Sequence, residues 1–222
     1  MDQPGLDPAE HARALESLAR INWWSRSAGI LWPPLARLGR EAREPLRVLD
    51  VASGAGDVAI CLSERARRRG IRLQIEGCDV SAVAVEYARR RAEDAGADVR
   101  FFVHDAVAGP VLSGYDVAMS SLFLHHLERE TARGLLARLV EQARRLVLVN
   151  DLVRCVRGWL MASVGTRVLS RSWVVHTDGP RSVEGAFTVA ELRALAEEAG
   201  LRGAEVERCW PARMLLTWRR PE

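Results

Sequence analysis

The sequence predicts an α/β protein: a doubly wound, mostly parallel, seven-stranded sheet with an antiparallel last strand and a helical cap. Three observations carry this. Residues 46–60, Leu-Arg-Val-Leu-Asp-Val-Ala-Ser-Gly-Ala-Gly-Asp-Val-Ala-Ile, read as a buried strand, a small-residue turn and a helix start. Apolar strands alternate with amphipathic helices over 46–150, the pattern of a parallel sheet covered on both faces. Two late strands, 204–209 and 214–218, are joined by only Trp210-Pro211-Ala212-Arg213, which implies an antiparallel hairpin.

With 222 residues the chain suits one large domain. We divide it into an N-terminal helical cap segment (1–40) and a nucleotide-binding domain (41–222) with a cap insertion at 152–186. The 48% hydrophobic content supports an ordinary core, and a net charge of +3 is too mild to imply a nucleic-acid partner. All 32 basic residues are Arg, so chemistry that needs a lysine is excluded. Cys61, Cys78, Cys155 and Cys209 show no paired spacing; Cys61, Cys78 and Cys209 read as small buried hydrophobes. No metal is expected. With neither a leader nor a membrane-length apolar run visible, a cytoplasmic setting is expected.

In chain order, residues 1–8 are expected to fray, and a helix to follow to about Ile21. Trp23, Trp24 and Trp32 come before the first strand, where they suggest a hydrophobic cap over a pocket; a helix packed on the sheet is the plainer alternative. After strand one, Val58, Ala59, Leu62 and Ala66 form a helix stripe, and Arg65, Arg67, Arg68 and Arg69 its solvated end. Strand two is 72–79. The helix capped by Ser81 carries Ala84, Tyr87, Ala88, Ala92 and Ala95 inward and ends at Gly96. Strands three to five are 99–103, 115–121 and 146–150, with a helix at 131–143. The 152–186 connection, helical over about 156–169, is too long to be idle in a compact domain. Thr188 and Glu191 form a capping box for the last helix.

Ligands of open parallel sheets sit beyond the strands' carboxyl ends. Asp50, Asp79 and Asp105 fall near three successive such ends. Asp79 is placed to accept both hydroxyls of a ribose, Asp105 an exocyclic amino group of adenine, and Asp50 to orient the glycine loop and attract a cationic ligand.

These residues resemble the class I methyltransferases that use S-adenosylmethionine, with their Rossmann-like fold. Residues 50–57 are similar to that family's first motif, closest to the ubiquinone and menaquinone C-methyltransferases, where Ala also replaces the first glycine. Asp79-Val80-Ser81 resembles the ribose motif, His104-Asp105-Ala106 the adenine motif, and Tyr115–Leu122 the strand-four motif beside the methionine. The resemblance therefore implies S-adenosylmethionine as cofactor, held by Asp50, Ala52, Ser53, Gly54, Gly56, Asp79, Val80, Asp105, Ala106, Ser121 and Leu122. Gly54-Ala-Gly56-Asp-Val-Ala59 also satisfies the NAD fingerprint; Asp50, Asp105 and the hairpin favour the methyltransferase reading. Segments 150–154, 165–172 and 175–182 resemble a bacterial subgroup often encoded beside type III polyketide synthases. That implies a phenolic or quinonoid polyketide acceptor from secondary metabolism, with Trp23, Trp24, Trp32, Asn150, Arg154, Trp159 and Trp173 around it.

Methyl transfer to a phenol needs positioning, exclusion of water and removal of a proton, and histidine suits the last. His125, His126 and His176 are the candidates. The first two follow strand four, where only one can point inward, and His125 resembles the base of plant-type phenolic O-methyltransferases. O-methylation is favoured over C-methylation. An RNA methyltransferase and a non-catalytic cofactor-binding regulator are the alternatives; oligomeric state is left open.

Overall fold

The computed structural model describes residues 27–169 and 181–221. The expected helix to Ile21, Trp23, Trp24, Trp173 and His176 lie outside them. The elements are α1 (Ser27–Glu41), β1 (Leu46–Val51), α2 (Asp57–Arg68), β2 (Leu73–Asp79), α3 (Ala82–Ala95), β3 (Val99–Val103), β4 (Tyr115–Ser121), α4 (Arg129–Gln142), β5 (Ala143–Leu152), α5 (Val156–Leu169), α6 (Val189–Glu198), β6 (Glu205–Cys209) and β7 (Arg213–Arg219). A 3-10 turn spans Leu124–His126. The seven strands form one sheet in the order β3-β2-β1-β4-β5-β7-β6. Only β7 runs against its neighbours β5 and β6, as the short hairpin link demanded.

Two apolar clusters cover the sheet, as the near-continuous hydrophobicity of its inner strands requires. One lies under α1, α2 and α3 and includes Leu31, Trp32, Val48, Met119, Leu148 and Leu215. The other lies under α4 and α6 and includes Leu49, Leu136, Leu139, Val149, Leu192 and Leu216. Ser81 accepts from the Ala84 N–H and so caps α3, Gly96 ends that helix in the left-handed conformation, and Thr188 and Glu191 make a reciprocal capping box. Among the described residues no helix is long and apolar enough to cross a membrane.

Four details differ from the sequence reading. Trp32 is 5% exposed and packs in the core, its ring under the Arg65 guanidinium at 5.0 Å. It belongs to a helix that continues through Pro33 and Pro34 and buries Leu31, Trp32, Leu35 and Leu38. Arg65 lies eight residues into α2, about 12 Å from that helix's start, so Trp32 is a packing residue away from the strands' carboxyl ends. Cys61 is exposed, because Ile60 and Leu62 take the inward positions of α2. On α3 the buried face holds Val85, whereas Ala95 is exposed. Finally, β5 runs on to Leu152, which makes Asp151 a strand residue.

Candidate active site

The site is built on the carboxyl ends of β1, β2, β4 and β5. Leaving β1, the chain turns through three left-handed residues, Ala52 (φ 56°), Gly54 (φ 52°) and Gly56 (φ 74°). The two glycines serve different ends. A Cβ on Gly56 would lie 2.6 Å from Cζ of Phe101 and 3.0 Å from Cβ of Ala88, so this glycine lets the turn press on the core. A Cβ on Gly54 would meet nothing within 4 Å, so its bare backbone faces open space. Ala52 holds a left-handed conformation despite its side chain, which costs about 1–2 kcal/mol.

Asp79 ties this turn to β2. Its Oδ2 accepts from the Gly54 N–H at 2.9 Å and its Oδ1 from the Ser81 N–H at 2.9 Å. Each oxygen keeps a second lone pair for a ligand hydroxyl. The Ser53 N–H donates to the Cys78 carbonyl at 2.9 Å, and its buried Oγ has no partner. Asp50 is 2% exposed, and its Oδ1 is likewise unpartnered. Burial, then the charges of Asp57 and Asp79, push its carboxyl well above the usual range. A buried acid beside two others is a receptor for positive charge. These orphaned atoms and the open face of Gly54 fit a cofactor with a ribose and a cationic tail.

Asp105 is exposed, and its Oδ1 closes a turn by accepting from the Val107 and Ala108 N–H groups at 2.8 and 2.9 Å. Those bonds hold its carboxyl below the usual range. Ala106 beside it is buried, while Val80 is 67% exposed at the end of β2. Val80, Val83 and Val103 thus present bare apolar side chains near the ends of β2 and β3, suited to the face of a flat base.

On the other side of β1, Ser121 ends β4. Its Oγ accepts from Nδ2 of Asn150 at 2.8 Å, and the left-handed Leu122 (φ 60°) donates its N–H to the Asn150 carbonyl at 2.9 Å. Asn150 is fully buried and its Oδ1 has no partner. The 3-10 turn that follows separates the two histidines. His126 is exposed, whereas the His125 side chain is 5% exposed, so one ring does point inward. Nδ1 of His125 lies 2.6 Å from Oδ1 of Asp151, and its backbone N–H donates to Oδ2 at 3.2 Å.

Asp151 is 1% exposed. Burial alone would raise its carboxyl. The His125 imidazole and its hydrogen bond, the Leu152 N–H and Arg213 outweigh that and hold it below the usual range. An ionised Asp151 fixes the proton of His125 on Nδ1 and leaves Nε2 with a lone pair, a tautomer inferred from this network. Asp151 is not singled out by the sequence reading, yet it carries the signal used for Asp50, Asp79 and Asp105: an acid at a strand's carboxyl end.

A cavity of about 570 Å³ is lined by Arg154, Cys155, Val156, Trp159, Val183 and Glu184. Trp159 is 41% exposed and donates its Nε1–H to Oε1 of Glu184 at 2.9 Å. Arg154 pairs with Glu191 of the α6 cap. Arg154, Trp159 and Asn150 are therefore gathered around the end of β5, and Trp32 is not.

Residues 48–145 match a protein family described as a methyltransferase domain. Two curated relatives are demethylmenaquinone methyltransferases. That of Thermus thermophilus is 37% identical over 110 residues, 49% of this chain and 48% of the relative. That of Deinococcus radiodurans is 32% identical over 121 residues, 54% of this chain and 48% of the relative. The match thus spans about half the length of each relative. Among solved structures, the plantazolicin methyltransferase BpumL in complex with SAH superposes with a TM-score of 0.71 at 15% identity, covering 97% of this chain and 91% of that one. An O-methyltransferase family 2 protein from Planctomyces limnophilus in complex with apigenin gives 0.69 at 15% identity, covering 100% and 64%. At these identities the superpositions speak for the fold.

Proposed function

We propose that residues 48–145, which match a methyltransferase domain, form a class I S-adenosylmethionine-dependent methyltransferase, and that the chain methylates the hydroxyl of a small aromatic or quinonoid acceptor. The observation that carries the acceptor chemistry is the buried His125–Asp151 pair at 2.6 Å, held at the ends of β4 and β5.

The cofactor supplies an electrophilic methyl group on a sulfonium. Everything else falls to the chain. Asp79 and the glycine turn would hold the ribose, Asp50 would face the positive charge, and Ser121 with Asn150 would shape the floor beside the methionine. An acceptor hydroxyl over β4 and β5 would give its proton to Nε2 of His125, while the bound cofactor would supply the methyl group and be left as the neutral thioether. Asp151 steadies the resulting imidazolium, as a buried carboxylate does for a catalytic histidine. A phenol has a pKa near about 10, so such a base matters most near neutrality. Carbon methylation would also need a base, for the ring proton, so the preference for oxygen rests on the resemblance of His125 to the base of plant-type phenolic O-methyltransferases.

The resemblance of 150–154, 165–172 and 175–182 to enzymes encoded beside type III polyketide synthases supports a polyketide phenol of secondary metabolism. The similarity to demethylmenaquinone methyltransferases supports a quinonoid one. We place the reaction in the cytoplasm, with no nucleic-acid partner. The test is to incubate the chain with methyl-labelled S-adenosylmethionine and a panel of phenols, naphthols and quinols and locate the label by mass spectrometry. Label on a phenolic oxygen supports the reading; label on carbon, or on added RNA alone, overturns it.

A further inference from the structure

Arg213 opens β7 and is 4% exposed, yet its Nε and Nη1 have no hydrogen-bond partner. Burial pushes its guanidinium down to about 10, with Asp151 opposing, so it stays protonated near neutral pH. A buried cation with idle donors is costly unless something anionic meets it. Asp151 does not fill that place. Its Oδ1 serves Nδ1 of His125 and the Leu152 N–H and its Oδ2 the His125 N–H, and although its charge acts on the guanidinium, no hydrogen bond joins the two.

Register shows where the guanidinium starts from. Arg213 pairs with Leu152 and Leu215 with Asn150, while Asn150 pairs with Ser121 of β4. Side chains alternate along a strand, so Arg213, Leu215 and Asn150 share one sheet face. Leu148 and Leu215 assign that face to the cluster under α1–α3. Asn150 brings a second idle group there, its buried Oδ1. Asp79, the ribose residue on β2, lies four strand spacings from β7, about 19 Å. Ser121, beside the methionine, lies two spacings away, about 10 Å. A molecule lying outward of the methionine, over β4 and β5, reaches Arg213.

We infer that Arg213 is the anion-recognition residue of the acceptor site, and that the acceptor is an aromatic bearing a carboxylate as well as the hydroxyl to be methylated. This rests on the phenolic reading above. Oδ1 of Asn150 accepts a hydrogen bond from a further polar group of the same molecule, and the guanidinium grips the carboxylate with charge-assisted bonds.

The test is calorimetry on the full chain saturated with S-adenosylhomocysteine, comparing 1-hydroxy-2-naphthoate with 1-naphthol. These share ring and hydroxyl and differ in the carboxylate. The wild type is expected to prefer the naphthoate at least about tenfold, R213M to lose that preference, and R213K to regain part of it. Equal affinities in the wild type, or a preference that survives in R213M, overturns the inference. A structural role beside Asp151 would weaken both ligands alike and leave their ratio intact.

The cofactor's own carboxylate is the competing source. If R213M loses affinity for S-adenosylhomocysteine relative to methylthioadenosine while the naphthoate preference persists, the arginine serves the cofactor and the inference fails. Should R213M not fold, as judged by its melting transition, the wild-type pair and R213K decide alone. Methyl transfer to 1-naphthol needs no carboxylate, so it reports on the phenolic reading separately.

Discussion

Gly54→Ala separates what the glycine turn does for the fold from what it does for the ligand. At φ 52° an alanine costs about 1–2 kcal/mol, but its Cβ meets no atom within 4 Å. For a chain of this size that lowers Tm by roughly 2–8 °C. Gly70, at φ 65° and equally unobstructed, follows α2 far from the turn, so G70A should show the same loss. Binding should part the two variants. S-adenosylhomocysteine at 100 times its Kd stabilises the wild type by about 2.7 kcal/mol, a rise of roughly 5–11 °C. G70A should keep that rise. In G54A the new methyl occupies the ligand's approach; a hundredfold weaker Kd would leave about 0.4 kcal/mol, or roughly 1–2 °C. Differential scanning fluorimetry with and without ligand reads all three proteins. A full ligand-induced rise in G54A would refute the reasoning, because the open side of Gly54 would then not be where the cofactor lies.

Gly56→Ala should fail differently, adding the clash with Phe101 to the same backbone strain and losing more stability than G54A by about 1–3 kcal/mol; a smaller loss in denaturant melts would mean the turn is not pressed on the core. Asp50→Asn should stabilise the ligand-free protein at alkaline pH and weaken cofactor binding. The folded-state pKa of Asp50 is raised, so the folded chain holds a proton that the unfolded chain releases above about 4, and stability falls as pH rises through the folded value. D50N removes that slope, and unchanged pH dependence of Tm would contradict it. Asp151 has the opposite sign: its depressed pKa gives stability that is present above about 4 and lost as pH falls through the folded value. D151N should be less stable near pH 7 and less sensitive to acid, which acid titration of the folded signal will show.

The frame of this protein was legible because each element carries its own period. The apolar runs of β3 and β4 gave both strands their bounds, and three acids could be read as falling near the ends of β1, β2 and β3. What stayed hidden depends on contacts between distant segments. Asp151 and His125 are 26 positions apart, and their pairing needs β5 to run two residues beyond its evident apolar run. Arg213 looked like part of a turn, since an arginine is rarely buried without a partner; only the register of β7 places it beside the end of β5. Trp32 misled for the converse reason. Its place before the first strand suggested a cap over a pocket, yet its helix runs through Pro33 and Pro34 and buries the ring in the core.

The account stands on a cofactor-binding turn served by a histidine base, and the pH–rate profile of His125→Ala with a phenolic acceptor tests that most directly. Against wild type, H125A should lose about 10²–10⁴-fold in kcat near pH 7, while its S-adenosylhomocysteine-induced rise in Tm persists. Its rate should then climb toward the wild-type value as pH approaches about 10, where the phenol ionises unaided. An H125A rate equal to wild type near pH 7, or a loss that higher pH does not repair, would contradict the assignment of the His125–Asp151 pair as the base.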